Sequence, residues 1–143
     1  MGTGSSNFEH FMKQREEAAR AYVGGDAAPL GRIVARASMA TFFGPMGGHV
    51  QGSHDVAARY EHDAALFAPE GQTDFEVFHA AAGGDVAYWT GIQHAVVRMQ
   101  DGMEAKPMDL RVTEVFRRER DGWKLIHRHA DTLVRSPDEK PTG

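Results

Sequence analysis

The chain has 143 residues, a formal net charge of -4 and no cysteine. This length fits one domain with its own core, and the lack of cysteine excludes disulfides and thiolate metal sites. Its 16 basic and 20 acidic residues form no long basic stripe, which disfavours nucleic-acid binding. The N-terminal residues lack the pattern of a secretory signal, and no apolar run is long enough for a membrane span. The sequence therefore predicts a cytoplasmic protein without membrane or nucleic-acid partners.

Apolar spacing and capping residues predict three helices in the first half of the chain. Apolar residues three and four positions apart predict a first helix over residues 7–24. Arg15 lies within that apolar face. An arginine in such a position either packs its aliphatic part on the core with its guanidinium in water, or extends into a functional site. A second helix is predicted to follow Asp26 and a third to follow Ser53, because both residue types cap helix N-termini.

The rest of the chain is predicted to form strands, since β-branched and aromatic residues alternate with polar ones between glycine-containing turns. One short strand precedes the third helix and four long strands follow it: Ala40–Phe43, then Thr73–Ala82, Val86–Met99, Lys106–Arg120 and Gly122–Val134. Helices followed by antiparallel strands indicate an α+β fold. The sequence predicts one domain over residues 8–134, with a disordered N-terminus (1–7) and a polar C-terminal tail (135–143).

The last strand carries an unusual set of side chains. Alternation along a strand places five residues on one face: Trp123, Leu125, His127, His129 and Asp131. That face begins apolar and becomes ionisable towards its end. It fits one wall of a pocket with an apolar bottom and a polar mouth, and it also fits a half-exposed edge strand with histidines at the rim.

Several short motifs occur in an order that matches a known family. They are Gly25-Asp26, Ala40–Pro45 leading to Gly52, Gly84–Tyr88, Thr113–Phe116 and Asp121–His129. Over residues 8–134 the chain resembles the SnoaL-like branch of the nuclear-transport-factor-2-like superfamily. The resemblance implies a cone, in which a curved antiparallel sheet wraps around three N-terminal helices, as in cystatin-like folds, and encloses an apolar cavity. It also implies a homodimer formed through the outer face of the sheet.

Relatives with known chemistry differ from this chain at their catalytic positions. The resemblance aligns the proton-shuttling aspartate of ketosteroid isomerase with Gly44 and its oxyanion tyrosine with Ala18. Only the isomerase's neutral carboxylic acid has a counterpart, Glu114. Limonene epoxide hydrolase uses an Asp-Arg-Asp set, and Arg111, Glu114 and Asp131 supply the same residue types. Arg111 and Glu114 are three residues apart on a strand and so face opposite ways. Neither activity is therefore expected.

The inward face that the resemblance implies predicts a carboxylate–imidazole pair in the pocket. The predicted catalytic residues are His127, His129 and Glu114, since such a pair suits general acid–base catalysis near neutral pH. The predicted ligand-binding residues are Arg15, Tyr22, Tyr88, Val112, Phe116, Trp123 and Asp131. We expect this site to bind a small apolar or aromatic ligand without a cofactor. If it is catalytic, its residues suit isomerase, cyclase, lyase or hydrolase chemistry.

Two other functions fit the same residues. His127, His129 and Asp131 on one face, together with Glu114, have the ligand types of a zinc or iron site. Metal sites are not usual in the family that the chain resembles, so the prediction is that no metal is bound. The cone also fits a non-catalytic carrier or an association module, because one fold hosts many functions. The sequence does not identify the ligand.

Overall fold

The computed structural model describes residues 4–102 and 104–134 of the chain. Within these residues it contains three helices: α1 (Gly4–Val23), α2 (Ala28–Ile33) and α3 (Ser53–Ala64). The same residues form seven strands: β1 (Thr41–Phe43), β2 (Val50–Gln51), β3 (Gln72–Gly83), β4 (Val86–Val97), β5 (Lys106–Pro107), β6 (Leu110–Glu119) and β7 (Gly122–Thr132). The α+β class is confirmed, and the predicted strand over residues 106–120 is divided into β5 and β6.

The first helix begins earlier than predicted. It includes residues 4–7 of the segment for which disorder is expected, whereas residues 1–3 and 135–143 lie outside the described residues. The helix is followed by Gly24-Gly25, where Gly25 adopts a positive φ of 99° that ends the helix. No helix within the described residues has the length and apolar character needed to cross a membrane.

The two shorter helices begin in different ways. The Asp26 carboxylate accepts a hydrogen bond at 3.0 Å from the backbone N–H of Ala28, at the start of α2. Ser53 is not the cap of α3, since Gly52 occupies that position. The Ser53 hydroxyl instead donates to the carbonyl of Ser38, which ties the start of α3 to the segment before β1.

The strands form one curved sheet that does not close into a barrel. Their order is β2-β1-β7-β6-β4-β3, with β5 paired to β4. The pairs are antiparallel except for β1 and β7, which run parallel. The predicted curved sheet is confirmed, and the parallel pair means that β1 extends the sheet beyond the last strand of the chain.

Alternate residues of β4 and β6 face the helices and form the centre of the core. On β6 these residues are Leu110, Val112, Glu114 and Phe116. Their direct neighbours on β4 are Gln93, Gly91, Trp89 and Ala87. The opposite, outer face of β4 carries Tyr88, Ile92 and Val96, as strand alternation predicts. The core face is therefore apolar except for one carboxylate and one amide.

Candidate functional site

A register shift in β7 decides which of its side chains enter the cone. Val115 of β6 pairs with His127, but the next residue, Phe116, pairs with Leu125. Ile126 is therefore an extra residue, which makes a β-bulge. Because side chains alternate along a strand, one extra residue exchanges the two faces of the strand beyond it.

The exchange brings an arginine into the cone and moves two histidines out of it. Before the bulge, Trp123 and Leu125 face inward and are buried, as predicted. Beyond it, Arg128 and Ala130 are the buried residues. The side chain of His129 is 51% exposed on the outer face. The prediction that His127 and His129 share the inner face with Trp123 is therefore wrong.

The inward arginine completes a buried cluster around Glu114. The Glu114 Oε1 atom accepts hydrogen bonds from Arg15 Nε at 2.9 Å and from Trp89 Nε1 at 2.8 Å. Its Oε2 atom accepts from Arg15 Nη2 and from Arg128 Nη1, both at 2.7 Å. A carboxylate accepts about four hydrogen bonds, so that of Glu114 is fully used.

The charges of the cluster keep Glu114 ionised. Burial alone raises the pKa of a carboxyl group, and Glu114 has no exposed surface. The positive charges of Arg15 and Arg128, with the hydrogen bonds from Arg15 and Trp89, outweigh burial and lower the pKa of Glu114 to about 2. Glu114 is therefore a carboxylate at any physiological pH.

The cluster carries one positive charge more than it can neutralise internally. Arg15 and Arg128 are both buried, and Glu114 is the carboxylate that pairs with them. The remaining Arg128 contact is neutral, because Nη2 donates to the amide oxygen of Gln93 at 2.7 Å. Two cations and one anion leave a net charge of one positive unit inside the cone.

Two buried donors near this excess charge lack an acceptor within the described part of the chain. They are the Nη1 atom of Arg15 and the hydroxyl of Tyr60. Tyr60 lies near enough for the charges of Arg128, Glu114 and Arg15 to act on its pKa, which burial raises. Burial also raises the pKa of Tyr22. Both tyrosines are therefore neutral donors, and the ring of Tyr22 lies 6.3 Å from that of Tyr60.

Aromatic side chains close the cone on both sides of the cluster along α1. Towards the N-terminus of α1, Phe8 and Phe11 pack against Phe116, and Phe8 also packs against Trp123. Towards its C-terminus, Tyr22 packs against Tyr60 and Phe67. Glu114 has no exposed surface, and Arg15 and Arg128 are only 2% and 8% exposed. The cluster is therefore closed to ligands in this conformation.

The structure divides the predicted site residues between the two faces of the sheet. Glu114, Arg15, Tyr22, Val112, Phe116 and Trp123 lie inside the cone. Four others lie on the outer face, so their placement in the same cavity is wrong: His127, His129, Asp131 and Tyr88. Tyr88 faces outward because strand alternation places it opposite its inward-facing neighbour Trp89. Its hydroxyl lies 2.8 Å from His79 Nδ1. The other three residues face outward because of the bulge.

The outer-face residues make their own contacts. His127 Nδ1 lies 2.7 Å from the Thr41 hydroxyl, and burial, with His129 nearby, lowers the pKa of His127. Asp131 accepts two hydrogen bonds from Arg111, at 2.6 and 2.9 Å. Glu114 is on the other side of the sheet from these groups. Among the described residues, no three His, Asp or Glu side chains converge as metal ligands would.

Arg128, Trp89, Gln93 and Tyr60 were missed by the sequence prediction as members of the site. Uninterrupted alternation along β7 would place Arg128 on the face opposite Trp123, away from the core. One signal was present, because Leu125 and Ile126 are adjacent apolar residues in a strand that otherwise alternates, which is the pattern that a bulge produces. A buried carboxylate on β6 also requires cations, which favours an inward arginine on the neighbouring strand.

Comparisons with known proteins agree with this architecture. The family model described as a SnoaL-like domain matches residues 14–134. The chain belongs to the SnoaL-like family. A search of curated proteins gives no match.

Solved structures share the fold at low sequence identity. A proposed dehydratase of the NTF2-like family from Streptomyces avermitilis has a TM-score of 0.72 and 22% identity, covering 92% of this chain and 96% of its own. A protein with a cystatin-like fold from Caulobacter vibrioides has a TM-score of 0.70 and 14% identity, covering 96% of this chain and 93% of its own. A proposed calcium/calmodulin-dependent protein kinase type II association domain from Thiobacillus denitrificans has a TM-score of 0.61 and 21% identity, covering 90% and 94%. At these identities the likeness shows the fold alone.

Proposed function

We propose that this SnoaL-like protein binds a small organic anion, such as a carboxylate with an apolar body, in the core of its cone. The supporting observation is the uncompensated positive charge of the Arg15–Glu114–Arg128 cluster. A buried charge without a partner costs several kcal/mol, so a chain that retains one gains stability when an anion neutralises it. The proposal retains the predicted small ligand and adds a charged end to it.

The arrangement of donors supports a carboxylate in particular. Arg15 Nη1 and the Tyr60 hydroxyl are buried donors without acceptors among the described residues. A carboxylate offers two acceptor oxygens, and hydrogen bonds between charged groups are about twice as strong as neutral ones. Apolar and aromatic side chains surround the cluster and suit the rest of the ligand: Phe42, Tyr60, Val112 and Phe116.

Acid–base catalysis by a histidine–glutamate pair has less support than binding. A carboxylate with a pKa of about 2 and four hydrogen bonds is a weak base, and it cannot donate a proton at neutral pH. His127 and His129 lie across the sheet from Glu114. A binding function needs only the charge and the donors, whereas catalysis would need a group that changes its protonation state near pH 7.

Ligand access requires one of the aromatic groups to move, since the cluster is sealed. Phe8 and Phe11 precede residue 14, where the match to the family model begins. They lie on the same face of α1 as Arg15, at spacings of three and four residues. We propose that this first part of α1 shifts to open the cone, while Arg15, one helical turn beyond Phe11, keeps its pair with Glu114.

The proposal is tested by calorimetric titration with benzoate and benzamide, which share shape and differ in charge. Benzoate is expected to bind at least about tenfold more tightly, the effect of roughly 1.4 kcal/mol. Arg15→Met removes the excess charge and should abolish this preference. Arg111→Met makes the same chemical change on the outer face and should leave it intact. Equal binding of both compounds, or a preference that survives in folded Arg15→Met, contradicts the proposal.

A second function, self-association, is favoured by a separate observation. The outer face of β3, β4 and β6 carries an apolar patch made of Phe78, Tyr88, Ile92, Val96 and Val115, in which Phe78 and Val96 are 61% and 45% exposed and Ile92 is buried. Contiguous exposed apolar surface marks protein interaction sites. We propose that two copies pair through this patch as a homodimer.

Light scattering at micromolar concentration tests the homodimer. The wild-type protein should have twice the mass of the chain, and Phe78→Lys should give a monomer. Leu66→Lys is the matched control, because Leu66 is 46% exposed and lies just after α3, outside the sheet. A monomeric wild type, or equal effects of the two substitutions, would exclude pairing through the patch.

A further inference from the structure

A second site lies on the outer face, at the border formed by β1, β2 and the end of β7. A cleft with a volume of about 720 Å³ opens there, within the range of small-molecule sites. We call it the Phe43 cleft. Its lining includes Phe43, Pro45, His49, Gln51, His129 and Asp131. Phe42 points into the core and Phe43 outward, so the sheet separates this cleft from the Glu114 cluster.

An aromatic ring forms the floor of the Phe43 cleft. The Phe43 side chain is 38% exposed. Three imidazole rings stand nearly perpendicular to it, with centroids 4.8 Å (His127), 5.7 Å (His129) and 6.5 Å (His49) away. Aromatic rings attract one another in edge-to-face and offset-stacked arrangements beyond the effect of buried area. The cleft thus presents ring surfaces to a further flat ring.

The loop beside Phe43 keeps the cleft open. Gly44 lies against the ring of Phe42, since a Cβ atom at Gly44 would come within 2.8 Å of that ring. Gly47 and Gly48 adopt positive φ angles of 85° and 68°, which favour glycine. The Gly47 N–H donates to the Gly44 carbonyl at 3.0 Å and closes the turn. Gly47 and Gly48 line the cleft, and neither has a side chain that could fill it.

Charge at the wall of the cleft selects a neutral ligand. Two hydrogen bonds from Arg111 hold Asp131 ionised and lower its pKa. His129 Nε2 lies 3.5 Å from Asp131 Oδ2. A ligand anion would meet the Asp131 carboxylate, and the two hydrogen bonds from Arg111 already offset the negative charge that would attract a ligand cation. With two positions used by Arg111 and one facing His129, the carboxylate has one acceptor position left for a ligand donor.

We propose that the Phe43 cleft binds a neutral aromatic ring with one hydrogen-bond donor, such as a phenol. The ring packs on Phe43 among the imidazoles, and its hydroxyl donates to Asp131. This site is independent of the proposed anion site, because it lies on the other face of the sheet and takes a ligand of different charge. It also lies outside the apolar patch on β3, β4 and β6.

Backbone amide NMR titrations with phenol and cyclohexanol test this proposal. The two compounds match in size and hydroxyl group, and only phenol is aromatic. Phenol should bind about three- to tenfold more tightly and shift the amide signals of residues 41–51 and 127–131. Phe43→Leu should reduce the affinity for phenol by a similar factor and leave cyclohexanol binding unchanged. Met99→Leu, in a different surface pocket, is the control and should change neither.

The donor contact is tested with Asp131→Asn, which keeps the shape of the side chain. This variant should weaken phenol binding and leave toluene binding unchanged, since toluene has no donor. Equal affinities for phenol and cyclohexanol, no effect of Phe43→Leu, or signal shifts confined to residues around Glu114 would each overturn the proposal. Benzoate titration of the same samples measures binding at the proposed anion site in the cone. A negative result for one proposed site is therefore distinguished from a negative result for the other.

Discussion

Replacing Glu114 with glutamine should be one of the most destabilising single changes in this chain. Glutamine has the shape of glutamate and retains an acceptor for Trp89, but it removes the carboxylate that pairs with both Arg15 and Arg128 in the core. Both arginines are buried, with 2% and 8% of their surfaces exposed, so water cannot solvate their charges once the carboxylate is lost. Removing one partner of a buried pair costs about 3–5 kcal/mol. At roughly 4 °C per kcal/mol for a domain of this size, the melting temperature should fall by roughly 12–20 °C.

Urea unfolding followed by circular dichroism measures this change in the free energy of unfolding. Asp131→Asn is the matched control, because it makes the same chemical change in a bidentate arginine–carboxylate pair on the surface. The Arg111 side chain of that pair is 64% exposed, and solvent-exposed ion pairs contribute little to stability. A Glu114→Gln protein within 1 kcal/mol of wild type, or no less stable than Asp131→Asn, would refute the view that Glu114 holds two buried cations.

Lowering the pH and removing all three charges by substitution should also change the stability of the cluster. The pKa of Glu114 is lowered from 4.5 to about 2 in the folded state, so its contribution is complete above about pH 4.5 and is lost as the pH falls towards 2. Urea midpoints should therefore decline more between pH 5 and pH 3 in wild type than in Glu114→Gln, and parallel declines would argue against this. The triple variant Arg15→Met, Glu114→Gln, Arg128→Met removes all three charges of the cluster and should be more stable than Glu114→Gln, yet bind benzoate and benzamide equally. Lower stability of the triple variant would contradict the charge argument.

Local patterns predicted most of the architecture. The three helices follow from apolar spacing and from residues such as Asp26, and the long strands follow from alternation between glycine-containing turns. Parity places Glu114 on one face of β6 with Leu110, Val112 and Phe116, and the family resemblance turns that face inward. These features depend on neighbours within a few residues, which a single sequence contains.

The candidate site could be predicted only in part, because one inserted residue determines its composition. Alternation holds from Trp123 to Leu125 and fails at Ile126, and that bulge exchanges Arg128 for His127 inside the cone. The predicted histidine–carboxylate pair depended on uninterrupted parity. Tyr60 joins the site from α3, a contact that depends on how the helix docks on the sheet and that no local pattern contains. The parallel pairing of β1 with β7 likewise joins residues about 86 positions apart, as in the Thr41–His127 contact.

A crystal structure with 4-bromobenzoate tests the anion proposal most directly, because anomalous scattering locates the bromine independently of the protein. The proposal predicts a bromine peak inside the cone, with the carboxylate within hydrogen-bond distance of Arg15 Nη1 and the Tyr60 hydroxyl. A bromine peak only in the Phe43 cleft or on the surface, with water as the partner of Arg15 Nη1, would contradict it and leave the cluster with a structural role alone.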